Sequence, residues 1–128
     1  MSLLLDTHAV AWWLNDDARL PASARTLIAE AKTKVYVSSA TGWEIAPKTR
    51  RGRWPEAEAL IQDFETQLAS WRLAILPISM QHAVLAGTLP GTHKDPFDRI
   101  LAAQCVVENL TLVTVDPAFA EFNVKVAW

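Results

Sequence analysis

Two aspartates stand at the start of a stretch that is otherwise mostly apolar. Asp95 precedes Pro96, and Asp98 follows three residues after Asp95. Proline suits the first position of a helix, because its missing N–H costs nothing there, so we predict a helix from Pro96 to about Asn109. Taken alone, the two aspartates are explained by helix capping and by the positive end of the helix dipole. A chemical role requires further carboxylates to arrive at the same place.

Three more acids follow or adjoin predicted strands. Asp6 comes directly after the run Leu3–Leu5, which is typical of a strand that is covered on both faces. Asp116 ends the strand that we predict near the C-terminus, and Glu44 lies in the first turns of the helix after the second strand. A carboxylate at the end of a central strand costs free energy unless something pairs with it. We therefore expect these acids to serve a site rather than the fold.

The elements that must position these acids alternate along the chain. The predicted strands are Ser2–Asp6, Val35–Val37, Leu73–Leu76, Thr111–Val115 and Val124–Val126. The predicted helical segments are His8–Leu14, Pro21–Ala31, Thr41–Thr49, Glu56–Ser70, a short helix capped by Ser79 and running through Ala86, the helix that begins at Pro96, and the turn Pro117–Phe122. This alternation predicts an α/β protein with a central parallel sheet of about five short strands and helices on both faces. Pro47 should kink or shorten its helix.

The composition of the chain excludes several classes of protein. A chain of 128 residues, about half of them apolar, predicts one domain over residues 1–128. The net charge of −2 argues against a protein coated in positive charge, although it allows a local basic strip. A single cysteine, Cys105, excludes a disulfide framework. No apolar run is long enough to span a membrane, so we expect a cytoplasmic protein without membrane contact.

The acids predict a metal site. The crevice of an open α/β sheet lies beyond the carboxyl ends of its strands. Four acids belong on this edge: Asp6, Glu44, Asp98 and Asp116. Like charges raise one another's pKa, and a hard divalent cation bound to oxygen ligands relieves the repulsion, which favours Mg²⁺ or Mn²⁺. Such a site serves phosphodiester hydrolysis. Residues that are candidates for auxiliary roles are Thr7, Asp95 and Thr114.

A basic segment follows the helix that carries Glu44. Its cationic residues are Lys48, Arg50, Arg51 and Arg53, and they are flanked by Trp43 and Trp54. Such a segment can follow a phosphate backbone and stack a base. A protein contact and a solvated charged loop are the open alternatives.

Four segments carry a resemblance that spans nearly the whole chain. They are Leu4-Leu5-Asp6-Thr7-His8, Trp43-Glu44-Ile45, His93-x-Asp95-Pro96-Phe97-Asp98-Arg99 and Leu112-Val113-Thr114-x-Asp116-Pro117. Together they resemble the PIN-domain family, and more narrowly the VapC toxins of type II toxin–antitoxin pairs.

The resemblance implies a single three-layer α/β/α domain and an endoribonuclease that depends on Mg²⁺ or Mn²⁺. It implies that the metal is held by Asp6, Glu44, Asp98 and Asp116. It also implies a homodimer, an RNA substrate and a cognate VapB-type antitoxin whose C-terminal segment blocks the site.

Two other functions remain open on the sequence. One is a binding module that keeps the PIN fold without catalysis. The other is a phosphatase with Asp6 as its nucleophile. Such sites usually have a second acid two residues later, where this chain has His8.

Overall fold

A parallel sheet forms the centre of the computed structural model, which describes residues 1–30 and 32–128. Its strands are β1 (Ser2–Leu5), β2 (Lys34–Ser38), β3 (Leu73–Leu76), β4 (Thr111–Val113) and β5 (Val126–Ala127). They lie in the order β3-β2-β1-β4-β5. Leu4 of β1 pairs with Tyr36 on one side and with Leu112 on the other. The predicted α/β class with a central parallel sheet is confirmed.

Helices alternate with the strands along the chain. The α-helices of the described residues are α1 (Thr7–Leu14), α2 (Ala22–Ala29), α3 (Ser39–Arg50), α4 (Glu58–Ile61), α5 (Phe64–Ser70), α6 (Met80–Thr88) and α7 (Pro96–Glu108). Two 3-10 segments are Pro55–Ala57 and Pro117–Phe122. The predicted end of α2 at Ala31 lies outside the described residues. Across the described ranges, no helix has the length and apolar character needed to cross a membrane.

Strand β1 separates two apolar layers. Leu3 and Leu5 are fully buried on the face that packs against α1 and α2. Leu4, also fully buried, points to the opposite face, where Leu101 of α7 and Phe119 contact it. Successive side chains of a strand point to opposite faces, so three consecutive leucines suit a strand with a helical layer on either side.

The predicted helix over Glu56–Ser70 is wrong as a single element, because it breaks at Asp63. The backbone of Asp63 leaves the helical region, with φ −146° and ψ 44°. In a continuous helix, the carbonyls of Ala59 and Leu60 would each accept an N–H from four residues later. The side-chain amide of Gln67 donates to both carbonyls instead, at 3.1 and 3.3 Å. The break is therefore stabilised by the Gln67 side chain, and the periodic pattern of apolar residues does not reveal this contact.

Strand β4 is shorter than the predicted Thr111–Val115 and ends at Val113. The hydroxyl oxygen of Thr114 accepts a hydrogen bond from the Asp116 backbone N–H at 3.0 Å. This local turn replaces the strand before Asp116. The last strand is also displaced, since it occupies Val126–Ala127 rather than Val124–Val126.

Pro47 does not shorten α3, which continues to Arg50. Proline removes the N–H that would pair with the carbonyl four residues earlier, here that of Trp43. Trp43 lies on the solvent-facing side of α3 and is 66% exposed, and a free carbonyl costs least where water can reach it. The helix then resumes its hydrogen bonds, since the Arg51 N–H donates to the Pro47 carbonyl at 3.2 Å.

The strand order creates a switch point beside β1. The chain runs from β1 outward through β2 to β3, and later returns to the other side of β1 with β4. Ligands of open α/β sheets bind in the crevice beyond the carboxyl ends of the strands at such a point. The residues that follow β1 and β4 therefore lie at this crevice.

Candidate active site

Asp6 and Asp116 follow the two strands of the switch point, and both begin a helix. The Oδ1 atom of Asp6 accepts the Ala9 backbone N–H at 2.8 Å at the start of α1. Asp116 accepts the Ala118 N–H at 2.9 Å at the start of the 3-10 segment. A cap of this kind engages one carboxylate oxygen and fixes the side chain. Each aspartate retains a second oxygen for other ligands.

All four acids that the sequence singled out line one open cavity of about 500 Å³. The acidic residues of its wall are Asp6, Glu44, Asp95, Asp98 and Asp116. Thr7 also lines the cavity, whereas Thr114 is buried beside it. The structure thus brings together side chains from four separate parts of the chain.

The sequence left two roles open for Asp95 and Asp98, helix capping and a place in the site, and the two residues differ in the role they take. Asp95 caps α7, because its Oδ1 accepts the backbone N–H groups of Phe97 at 2.9 Å and Asp98 at 3.4 Å. Asp98 instead contacts the ring of His93, with 2.7 Å between Oδ2 and Nε2. Asp98 therefore does not cap the helix; it lines the cavity while its Oδ2 atom contacts His93.

Glu44 is held by two side chains. The hydroxyl of Thr7 donates to Oε1 at 2.5 Å, and the ammonium group of Lys48 lies 3.3 Å from Oε2. The Glu44 side chain is 12% exposed. Pro47 lies one turn away, yet Glu44 still faces the same cavity as the aspartates.

Burial and like charge shape the electrostatics of the cavity. Burial raises the pKa of Asp6 above its ordinary value, and the charge of Asp116 adds to the increase, while Thr114 and the Ala9 N–H oppose it. Burial also raises the pKa of Asp98, with contributions from the charges of Asp95 and Glu44 and opposition from His93. Groups shifted in this way are stabilised in their charged form by a nearby cation.

The donor set fits a hard divalent cation by its chemistry. The cavity offers carboxylate oxygens, which Mg²⁺ and Mn²⁺ prefer. As the side chains stand, no three histidine, cysteine or acidic groups among residues 1–30 and 32–128 lie in positions to hold a metal ion together. Asp98 is turned toward His93, and Glu44 toward Thr7 and Lys48. A cation would have to compete with those contacts.

The basic segment adjoins the acidic cavity. A second groove of about 400 Å³ is lined by His8, Lys48, Arg51, Arg53 and Trp54. His8 and Lys48 line both spaces, so the two are adjacent. Arg50 is exposed but lines neither of them.

Several residues of the site were not predicted from the sequence. His8, Trp12 and Trp128 line the cavity opposite the acids. For His8 a signal existed, because it stands in the first turn of the helix after β1, at the edge where the acids converge. Trp128 is the last residue of the chain, and nothing in its local pattern indicates a site.

The loop before α7 is held by two side chains whose roles the sequence did not reveal. Arg99 donates to the backbone carbonyls of Ala86, Leu89 and His93. The carboxylate of Glu121 accepts the backbone N–H groups of Thr92 and His93. These contacts hold the backbone of His93, whose ring contacts Asp98.

Solved structures of other proteins share the fold of this chain. A chain of VapBC2 from Rickettsia felis, solved bound to a DNA fragment from its promoter, matches with 20% identity and a TM-score of 0.70, covering 99% of this chain and 98% of that one. A chain of FitAcB from Neisseria gonorrhoeae matches with 23% identity and a TM-score of 0.66, covering 97% and 95%.

A third match is VapBC-1 from nontypeable Haemophilus influenzae, with 18% identity, a TM-score of 0.65 and coverage of 99% and 97%. Comparison with curated protein sequences gives no significant match. The family model of the PIN domain matches residues 3–125. The chain therefore belongs to the PIN domain family.

Proposed function

We propose that this PIN-domain protein is an endoribonuclease that depends on Mg²⁺ or Mn²⁺ and acts as the VapC-type toxin of a toxin–antitoxin pair. The observation that carries the proposal is the meeting of four acids in one cavity at the switch point of the sheet: Asp6, Glu44, Asp98 and Asp116. The raised pKa values of Asp6 and Asp98 support it: burial is their main cause, and a cation bound beside the two carboxylates would favour their charged forms.

The acids have different tasks in this proposal. Asp6, Asp98 and Asp116 hold the metal, and the backbone caps at Asp6 and Asp116 keep those two carboxylates in place. Glu44 ligates the metal or orients the attacking water, and the Thr7 hydroxyl fixes its direction. When bound, the metal activates a water molecule and stabilises the leaving oxygen of the phosphodiester. Lys48 adds a positive charge where the phosphate would enter.

The partner proposed for this chain is a VapB-type antitoxin. The solved neighbours are VapBC2, FitAcB and VapBC-1, and they share the fold over nearly their whole length. A VapB-type antitoxin is the partner that the resemblance of this chain to VapC toxins implies. We also propose that the protein is a homodimer. Co-expression with the product of an adjacent small reading frame, followed by purification and light scattering, tests both assignments.

RNA cleavage tests the catalytic assignment. Total RNA treated with the purified protein should be cut at specific positions with Mg²⁺ or Mn²⁺, and cutting should stop with EDTA. Asp98→Asn should abolish cleavage, since it removes the charge without changing the size of the side chain. Asp63→Asn is the matched control, because Asp63 is exposed and remote from the cavity lining.

The same assay separates the remaining alternatives. A phosphatase would release phosphate from small phosphomonoesters and leave RNA intact. A binding module would retain the antitoxin without cutting RNA under any metal condition. Either pattern, or equal activity of Asp98→Asn and Asp63→Asn, would refute the nuclease proposal.

A further inference from the structure

His8 lies between the two adjacent spaces of the site and lines both of them. On one side lies the acidic cavity with Asp6 and Asp116, and on the other lies the groove with Arg51 and Arg53. The side chain of His8 is exposed, although both of its chain neighbours, Thr7 and Ala9, are buried. A polymer that ran from the basic groove to the acidic cavity would pass over this ring.

The ring of His8 is supported from within the protein. Trp54 lies 5.2 Å away between ring centroids, with an angle of 34° between the planes. Trp12 lies 5.5 Å away at 54°. Trp54 is 9% exposed and belongs to the apolar cluster of Ala11, Ile45 and Leu60. His8 is thus the exposed member of a small cluster of tilted aromatic rings whose inner ring, Trp54, is buried.

The charges on either side of His8 suit one kind of ligand. Cationic side chains attract backbone phosphates regardless of sequence, while an exposed ring backed by another ring offers a face on which a base can stack. A nucleic-acid strand combines both requirements at successive positions. A folded protein partner would not be expected to alternate phosphate-like charge with flat, unpaired rings.

We propose that His8 is the stacking platform for a nucleobase next to the phosphodiester that is cut, with Arg51 and Arg53 binding the phosphates beyond it. This inference rests on the proposed nuclease function and deepens it, because it assigns a single-stranded substrate whose base is splayed onto the protein. Lys48, which lines both spaces and lies 5.6 Å from the Trp54 ring centroid, marks the passage between them.

Binding of two labelled oligomers tests the platform without any need for cleavage. The probes are a short single-stranded oligoadenylate and an abasic ribose-phosphate oligomer of the same length, measured by fluorescence anisotropy in EDTA. His8→Ala should weaken oligoadenylate binding by roughly 5- to 20-fold, as expected for loss of one base stack, and leave the abasic oligomer unaffected. His8→Phe should restore oligoadenylate binding, because it keeps the flat ring and lacks ring nitrogens.

Arg53→Ala is the matched control for the phosphate contacts. It should weaken both oligomers by the same factor and reduce the salt dependence of binding, as a phosphate contact does. Because His8 and Arg53 are both exposed, neither substitution should alter the melting temperature measured by circular dichroism.

Three results would overturn the inference alone: unchanged oligoadenylate binding by His8→Ala, equal losses for both oligomers, or failure of His8→Phe to restore binding. If both probes bind normally to His8→Ala and Arg53→Ala while antitoxin binding weakens, the surface is a protein interface and the inference is wrong. If the wild-type protein binds neither oligomer yet cuts RNA with Mg²⁺, the inference fails and the nuclease proposal stands; if it also leaves RNA intact, both fail.

Discussion

The ring of His93 and the carboxylate of Asp98 lie 2.7 Å apart, joining the loop before α7 to the acidic cavity. The hydrogen bond to Asp98 raises the pKa of His93 above its ordinary value, and the charges of Asp98, Asp95 and Glu121 add to the increase. The contact acts in both directions, because the His93 ring lowers the pKa of Asp98 while burial of the carboxylate raises it.

The first prediction concerns the pKa of His93. In metal-free protein, an NMR titration of the ring protons should give His93 a pKa above the ordinary value of 6.5. Asp98→Asn should lower this pKa, because it removes the largest cause of the shift. Asp63→Asn, the same change at an exposed site that is not among the causes, should leave it unchanged. A His93 pKa that is identical in all three proteins would contradict the assignment.

The same contact sets the direction of a stability change with pH. A histidine whose pKa is raised in the folded state stabilises the fold fully below its unfolded pKa, and this stabilisation is lost as pH rises through the folded pKa. The free energy of unfolding of the metal-free wild type, minus that of Asp98→Asn, should therefore be smaller at about pH 9 than at about pH 6. Urea unfolding at both pH values measures the difference. A relative stability that rises with pH would show that His93 is not held in its charged form.

Thr7→Val tests how Glu44 is oriented. Valine has nearly the same shape as threonine, so the buried position stays filled, while Glu44 loses the hydroxyl that donates to it at 2.5 Å. A hydrogen bond to a charged group is worth about 1.5–3 kcal/mol, so RNA cleavage should fall by roughly 10- to 100-fold. The rate of cleavage at saturating RNA is the measurement.

Thr41→Val is the matched control for that substitution. Thr41 is equally buried, and its hydroxyl lies 3.5 Å from that of Thr7. The same chemical change there should lower cleavage by less than about 3-fold, since Glu44 keeps its donor. Equal losses at the two positions would show that packing, rather than the orientation of Glu44, is responsible.

Gly91→Ala should destabilise the loop before α7. Gly91 has a φ of +119°, and a Cβ at this position would collide with the carboxylate of Glu121. A residue other than glycine in such a conformation costs about 1–3 kcal/mol. The collision would also displace Glu121 from the N–H groups of Thr92 and His93. Urea unfolding should record the loss.

Gly87→Ala provides the comparison for Gly91→Ala. Gly87 lies in α6, and a Cβ there would meet no atom of the described chain within 4 Å. Alanine is a better helix former than glycine, by about 0.5–1 kcal/mol, so stability should stay the same or rise. Loss of stability in Gly87→Ala equal to that in Gly91→Ala would rule out the proposed collision.

The convergence of the acids at one edge of the sheet was predictable, because residues close to each acid in the sequence indicate its position. Three consecutive leucines before Asp6 indicate a strand buried on both faces, and the end of such a strand lies at a known edge of an α/β sheet. The Asp95-Pro96 pair marks the start of α7 without reference to the rest of the fold. Asp98 follows at a fixed distance, so its place beside the crevice comes with the helix.

Contacts between distant residues were not predictable in the same way. The apolar positions Leu60, Phe64 and Leu68 fit a continuous helix as well as the broken pair α4 and α5. The break depends on a side-chain amide, that of Gln67, reaching two carbonyls. The orientation of His93 depends similarly on Glu121, which is 28 residues away. No periodic pattern records such contacts.

The last prediction concerns Cys105, the single cysteine of the chain. Its side chain is buried against α7 neighbours and the sheet, and burial raises the pKa of its thiol to about 12. Because the thiolate is the reactive form, iodoacetamide at about pH 8 should leave Cys105 unmodified in the folded protein and alkylate it fully in urea. Mass spectrometry of the two samples gives the extent of labelling. Rapid labelling of the native protein would mean that α7 opens locally around Cys105. The helix would then not be the rigid support that positions Asp98.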